Sequence, residues 1–198
     1  MIFAGACLAA AAILLLVTFV VSSSRDKPMA QVSYGSAAVG GPFHLTDQNG
    51  TARTEAMLRG KWSAVFFGYT FCPDYCPTTL HTLGAAQDLL GPRGKDLQVV
   101  FVSVDPERDT AAQLKLYLTN QGFPKGMTAL TGSPAQVAET AKAYKVYYSR
   151  EGAGSDYVVD HSTATYLMNP RGRFVKVIPY GLNPDETAGL IRDAMRGS

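Results

Sequence analysis

The sequence predicts an α/β domain of thioredoxin-like order, opened by an N-terminal β-hairpin and preceded by a single transmembrane helix. Three observations carry this expectation. Met1–Val21 contains no charged residue. Two largely apolar runs, Trp62–Gly68 and Leu97–Val104, flank a segment with apolar residues at helical spacing. A second helical pattern, a hairpin pattern and a closing helix follow. Two β-α units, a hairpin and a last helix make up the order.

As a helix at about 1.5 Å per residue, Met1–Val21 reaches roughly 30 Å, the thickness of a bilayer core. Ser22-Ser23-Ser24-Arg25-Asp26-Lys27-Pro28 ends the run abruptly. A transmembrane anchor over 1–21 is the leading reading and a cleaved signal peptide the rival. The run is longer than a usual signal core and lacks its basic n-region. Arg25 and Lys27 follow it while no Lys or Arg precedes it, so the charge bias leaves orientation open. Residues 22–41, rich in Ser, Gly, Ala and Pro, read as a linker. The folded domain then spans 42–198.

That domain begins with Phe43-His44-Leu45-Thr46 and the turn signal Asn49-Gly50, which predict a β-hairpin. Trp62–Gly68 and Leu97–Val104 read as strands buried on both faces. Between them Leu80, Leu83, Ala86, Leu89 and Leu90 lie near one face of a helix, so the strands are expected to be parallel. A second helix is expected from Asp109-Thr110 to about Asn120, with Thr110 and Gln113 forming a capping box. A third runs from Pro134 to Tyr144 with Ser133 as its cap. Tyr157-Val158-Val159 leads through Asp160-His161-Ser162 into a strand ending at Met168. Asn169–Gly172 turns the chain into Arg173–Ile178, and a last helix runs from about Pro184 to Met195.

Composition narrows the function. The 198 residues are 46% hydrophobic and 17% charged, with 18 basic against 16 acidic residues, so no polyelectrolyte partner is implied. There is no basic run and no aromatic-basic interleaving, and nucleic-acid binding is not expected. Three cysteines are too few for a secreted disulfide scaffold. Cys7 lies within the apolar N-terminal run and reads as a small hydrophobe. Cys72 and Cys76 are the cysteines of the soluble part.

The most informative segment is Gly68-Tyr69-Thr70-Phe71-Cys72-Pro73-Asp74-Tyr75-Cys76-Pro77, at the end of a buried strand. Proline is favoured at the first position of a helix, so the helix is expected to start near Pro77. That leaves Cys76 in a capping position and Cys72 in the approach loop. Both sulfurs then stand near a helix N-terminus, whose partial positive charge favours thiolate. Two facing thiolates admit either a disulfide or a soft metal. A closed zinc site needs four ligands, and iron–sulfur clusters fail by the same count. Cu(I) is satisfied by two thiolates and one neutral imidazole.

Of the three histidines, His44 belongs to the hairpin and reads as a surface residue. His81 lies about 140° round the helix from Cys76, which favours a surface role there too. His161, in a polar interruption before a strand, reads by itself as a hydrogen-bonded histidine. In Asp105-Pro106-Glu107-Arg108-Asp109-Thr110, strand exit and helix capping by Asp109 or Thr110 account for most of the pattern. Asp105 or Arg108 could additionally support the site from behind. Asp160 either orients a neighbouring ligand or ties its own loop. Tyr69, Phe71 and Tyr75 read as packing around the cysteines, and Trp62 reads as core.

Three segments resemble signatures of the Sco/SenC family, in order. They are Gly68–Pro77, Val102–Thr110 and Val159-Asp160-His161-Ser162. The resemblance runs from about residue 40 to the C-terminus. It implies a copper chaperone for the CuA centre in subunit II of cytochrome c oxidase, with Cys72, Cys76 and His161 as ligands of Cu(I) or Cu(II). It further implies a copper donor protein, a thiol reductant and a membrane tether. The location implied is the bacterial inner membrane facing the periplasm, or the mitochondrial inner membrane facing the intermembrane space. A metallochaperone is thus the leading reading over an enzyme. The alternative is a membrane-anchored thiol–disulfide oxidoreductase using Cys72 and Cys76. Their three-residue spacing, where a thioredoxin motif has two, argues against it. A peroxidase would need an arginine beside a reactive thiolate, and a purely structural disulfide ranks last.

Overall fold

The computed structural model describes residues 39–154 and 156–197. The expected anchor over 1–21, Cys7 and nearly all of the linker lie outside the described residues. Among the described residues no helix is long and apolar enough to cross a membrane.

The described residues form nine strands, β1 (His44–Asp47), β2 (Ala52–Thr54), β3 (Trp62–Gly68), β4 (Leu97–Ser103), β5 (Thr128–Thr131), β6 (Tyr148–Glu151), β7 (Val158–His161), β8 (Thr165–Met168) and β9 (Phe174–Ile178). The helices are α1 (Tyr75–Leu89), α2 (Ala111–Tyr117), α3 (Pro134–Tyr144) and α4 (Pro184–Arg196). Seven strands form one sheet in the order β2-β1-β5-β4-β3-β8-β9, and β6 with β7 forms a separate two-stranded sheet.

The largely apolar run of β3 has its reason in this order. Every one of its residues is buried, because β4 pairs with it in parallel on one side and β8 antiparallel on the other. Phe66, Phe67, Phe101, Leu80 and Leu83 are fully buried around it. Each contributes about 1.5–3 kcal/mol of apolar burial. α1 is the crossover from β3 to β4 and α2 lies on the way from β4 to β5, whose pairing with β4 is also parallel. The ends of β3 and β4 therefore finish at one edge of the sheet, with Gly68 opposite Ser103 and Val104 N–H donating to Gly68 O at 2.8 Å. The loops that follow both strands meet at that edge.

Several expectations need correction. α2 is shorter than expected, ending at Tyr117. Thr110 caps it by accepting from Gln113 N, but the Gln113 side chain donates to Thr70 Oγ1 at 3.1 Å, so only half of the capping box forms. The full box belongs instead to α3, through Ser133 and Gln136. Leu89 is exposed, because at about 100° per residue it falls on the side of α1 opposite the buried Leu80. Two strands were not expected. β5 is only four residues long and lies between loops, and β6 is polar, so neither carries an alternating pattern. The pairing of β6 with β7 makes His161 the last residue of a strand rather than part of an interruption before one.

Candidate metal centre

The cysteine loop leaves β3 at Gly68 and enters α1 at Tyr75, two residues earlier than the proline predicts. Pro77 is tolerated at the third helical position because its missing N–H would have no intrahelical partner there. Cys76 is consequently a first-turn helical residue and not the cap. Its own N–H, one of the unpaired donors of the helix start, donates to Cys72 Sγ at 3.4 Å. The tertiary fold thus spends a helix-terminal amide on the sulfur of the approach loop.

Gly68 makes room for the second sulfur. A Cβ at this position would stand 2.6 Å from Cys76 Sγ and 3.0 Å from the Phe101 ring. Gly68→Ala should therefore displace Cys76 Sγ, cost about 1–3 kcal/mol of stability through overpacking, and weaken metal binding. Thermal unfolding and Cu(I) competition on the same variant check this, and wild-type values in both would refute it.

His161 arrives from the separate β6–β7 sheet. Its Nδ1 lies 2.9 Å from Ser162 O. A carbonyl can only accept, so Nδ1 carries the proton and Nε2 presents a lone pair. Nε2 faces Cys76 Sγ at 3.5 Å. The ring is held edge-on by Tyr69 and Phe66, at centroid distances of 5.8 and 6.3 Å. Cys72, Cys76 and His161 are all buried, and their ligand atoms lie within 4.8 Å of one another. They form the one such trio among the described residues. Two sulfurs and an imidazole nitrogen at this spacing suit a soft metal ion and fall short of a closed four-ligand zinc site.

The two thiols are not equivalent, contrary to the expectation that the helix start favours both thiolates. Hydrogen bonding from Cys76 holds the Cys72 thiol down to about 4, against an opposing effect of burial, with further help from the Cys76 amide. Burial pushes the Cys76 thiol up, reinforced by the Cys72 charge beside it. The pair shares one proton, which resides on Cys76. Because the Cys72 value is depressed, its thiolate persists as pH falls and is lost only through about pH 4. Metal-free protein should accordingly alkylate at Cys72 at pH 6, with Cys76 protected. Peptide mapping after iodoacetamide treatment at stepped pH reads this out, and a Cys72 midpoint in the ordinary thiol range would contradict it.

Around the trio, the loop after β4 does more than cap α2. Asp109 is no cap at all. Its carboxylate accepts from Thr70 N at 3.0 Å, Thr70 Oγ1 at 2.7 Å and Ser103 Oγ at 2.6 Å. Asp105 pairs with Arg108 Nε at 2.5 Å and accepts from the Tyr157 hydroxyl at 2.5 Å. Arg108 donates to Tyr157 O at 3.0 Å, and its guanidinium stacks 3.6 Å from the centre of the Tyr157 ring. These contacts tie the loop after β4 to the entry of β7, the strand that carries His161. Arg108 also lies 4.8 Å from the Phe71 ring, so an arginine does stand near the cysteine loop. Asp160 is on the exposed side of β7. Tyr69 is buried as expected, whereas Phe71 and Tyr75 are half exposed. His44 is exposed on β1, and His81 is an exposed α1 residue packed on Phe123, 5.0 Å between ring centres. Neither approaches the trio.

The sequence model of the SCO1/SenC family matches residues 31–196. The chain belongs to that family. Among its relatives, the mitochondrial SCO1 homolog 1 of Arabidopsis thaliana is 45% identical over 166 residues, covering 81% of this chain and 48% of the relative. Mitochondrial SCO1 of Saccharomyces cerevisiae is 42% identical over 171 residues, covering 84% of this chain and 57% of the relative. The chain thus spans about half the length of these curated relatives. The crystal structure of Arabidopsis thaliana ScoI with copper bound is similar to it at a TM-score of 0.76 and 41% identity, over 81% of this chain and all of that one. The thioredoxin-like α/β fold expected from sequence is the fold this SCO1/SenC domain shares with its solved relatives.

Proposed function

We propose that this chain is a copper metallochaperone of cytochrome c oxidase assembly that delivers Cu(I) to the CuA centre of subunit II. The observation that carries the reading is the buried trio of Cys72, Cys76 and His161, with its ligand atoms inside 4.8 Å. Thiolate ligands select Cu(I), and copper is bound in the Arabidopsis ScoI structure that the fold resembles. The trio suits transfer as well as binding. Cys72 and His161 retain 7% and 9% exposure while Cys76 has none. An incoming thiolate therefore meets the metal on the Cys72 and His161 side, and one of those two leaves first. Cys76 holds the ion until the exchange completes.

The same reading assigns a copper donor protein and a thiol reductant as partners, since the cysteines must be reduced to receive metal. It keeps 1–21 as a membrane anchor, 22–41 as a linker and 42–198 as the copper domain. The domain then works on the periplasmic side of a bacterial inner membrane or the intermembrane-space side of the mitochondrial one. A second reading, a thiol–disulfide oxidoreductase acting on the cysteines of a copper protein, is favoured by the pairing of a Cys72 thiolate with a Cys76 thiol. Such a pair has the attacking and resolving groups of disulfide exchange.

The test is Cu(I) titration of the reduced protein with X-ray absorption of the product. One Cu(I) per chain with sulfur and nitrogen neighbours is expected. Oxygen and nitrogen neighbours alone would defeat the assignment.

A further inference from the structure

We propose that Asp109 is a positioning residue of the copper site, whose buried carboxylate fixes the Cys72 loop and so sets the placing of Cys72 against Cys76 and His161. This rests on the copper reading above. Asp109 has no solvent exposure, although it follows five loop residues and precedes a cap. A carboxylate buried without partners is costly, so its retention there calls for compensating donors. Three donors converge on it, two from Thr70 and one from Ser103. Ionised, it accepts from all three and brings no donor of its own that would need a partner. Thr70 is two residues before Cys72, and the turn between them closes with Cys72 N–H donating to Tyr69 O at 3.2 Å.

The anchor end is equally well fixed. Ser103 ends β4 in register with Gly68, and its hydroxyl also accepts from Asp105 N at 3.0 Å. Asp109 N–H donates to Asp105 O at 2.9 Å. Gln113, one turn into α2, abandons its capping partner to donate to Thr70 Oγ1. The carboxylate thus joins a rigid strand end to the loop that presents one ligand, across 39 residues of chain. A clamp serving the fold alone would act on stability and leave the ligands' mutual placing unchanged. A positioning clamp acts on metal affinity through the loop.

The experiment compares Asp109→Ala, Thr70→Val, their double variant and Ser103→Ala in the full chain, reading Cu(I) affinity by chelator competition and unfolding by denaturant. Asp109→Ala and Thr70→Val should each lower Cu(I) affinity by about 10- to 100-fold, as groups behind metal ligands typically do. The double variant should bind no more weakly than Asp109→Ala, because both changes cut one linkage. Ser103→Ala, which spares both bonds to the loop, should lose less than Thr70→Val. Parent affinity in Asp109→Ala or Thr70→Val would overturn the proposal, as would fully additive losses. If Asp109→Ala does not fold, Thr70→Val against Ser103→Ala decides alone. A second readout needs no copper: equilibration of the Cys72–Cys76 dithiol with glutathione disulfide, giving the protein disulfide and two glutathione thiols. With the loop released, the pair should oxidise at a several-fold lower share of glutathione disulfide in Asp109→Ala and Thr70→Val. An unchanged midpoint in both would count against the clamp even if the parent protein bound no Cu(I), an outcome that would separately defeat the copper reading.

Discussion

Cys72→Ser and Cys76→Ser are each expected to abolish tight Cu(I) binding, while Cys7→Ser leaves it intact. Serine replaces a soft sulfur with a hard hydroxyl that Cu(I) does not select, and the remaining sulfur and nitrogen hold the ion with one ligand fewer. The fold should survive both changes. At Cys76 the serine hydroxyl is close to the His161 Nε2 lone pair, which can accept its proton, and Cys72 lies at the edge of the core. The two losses differ in acid. In Cys72→Ser the remaining sulfur is the buried one whose thiol is pushed up, so it must shed a proton to bind. In Cys76→Ser the remaining sulfur belongs to the exposed side of the site. Residual binding in Cys72→Ser should therefore vanish at higher pH than in Cys76→Ser. Chelator competition at stepped pH measures both effects, and a stoichiometric tight complex in either single variant would remove the thiolates from the ligand set.

His161→Ala separates copper delivery from disulfide chemistry. The imidazole presents its Nε2 lone pair to the site, and its Nδ1 proton is held by Ser162 O. Removing it takes away the third ligand, so Cu(I) affinity should fall and CuA maturation in cells should stop. Disulfide exchange needs only the two thiols and the amide that stabilises one of them, both of which remain. The Cys72–Cys76 pair should thus still oxidise and be reduced in His161→Ala, with circular dichroism confirming the fold. Full oxidase assembly in His161→Ala, alongside failure of either cysteine variant, would make redox chemistry the essential activity.

The central strands were legible because their physics is local. A strand buried on both faces, as β3 is, is expected to be nearly all apolar, and Trp62–Gly68 meets that condition at every position but Ser63, whose hydroxyl accepts from Gln98 Nε2. The cap of α3 was legible for the same reason, since Ser133 bonds a backbone amide only three residues on. β5 and β6 were not, because their strand character comes from their partners β4 and β7. The cysteine pair could be read as a candidate site from its own spacing. His161 could not: it joined the trio through resemblance, and its partner is 85 residues distant.

The sequence by itself determined which side chains were available: two cysteines with loop-to-helix spacing, a third in the apolar N-terminal run, and three histidines. It also determined the apolar strands whose ends would carry the cysteines. Only the tertiary structure decided which thiol keeps the proton, because burial and hydrogen bonding differ between two residues of the same type. It also decided that Gly68 must lack a side chain and that Asp109 grips the Cys72 loop. Nothing near Gly68 or Asp109 in the chain signals these roles. Each depends on an atom brought close by folding, a sulfur eight residues on or an amide 39 residues back, and chain spacing carries no information about such contacts.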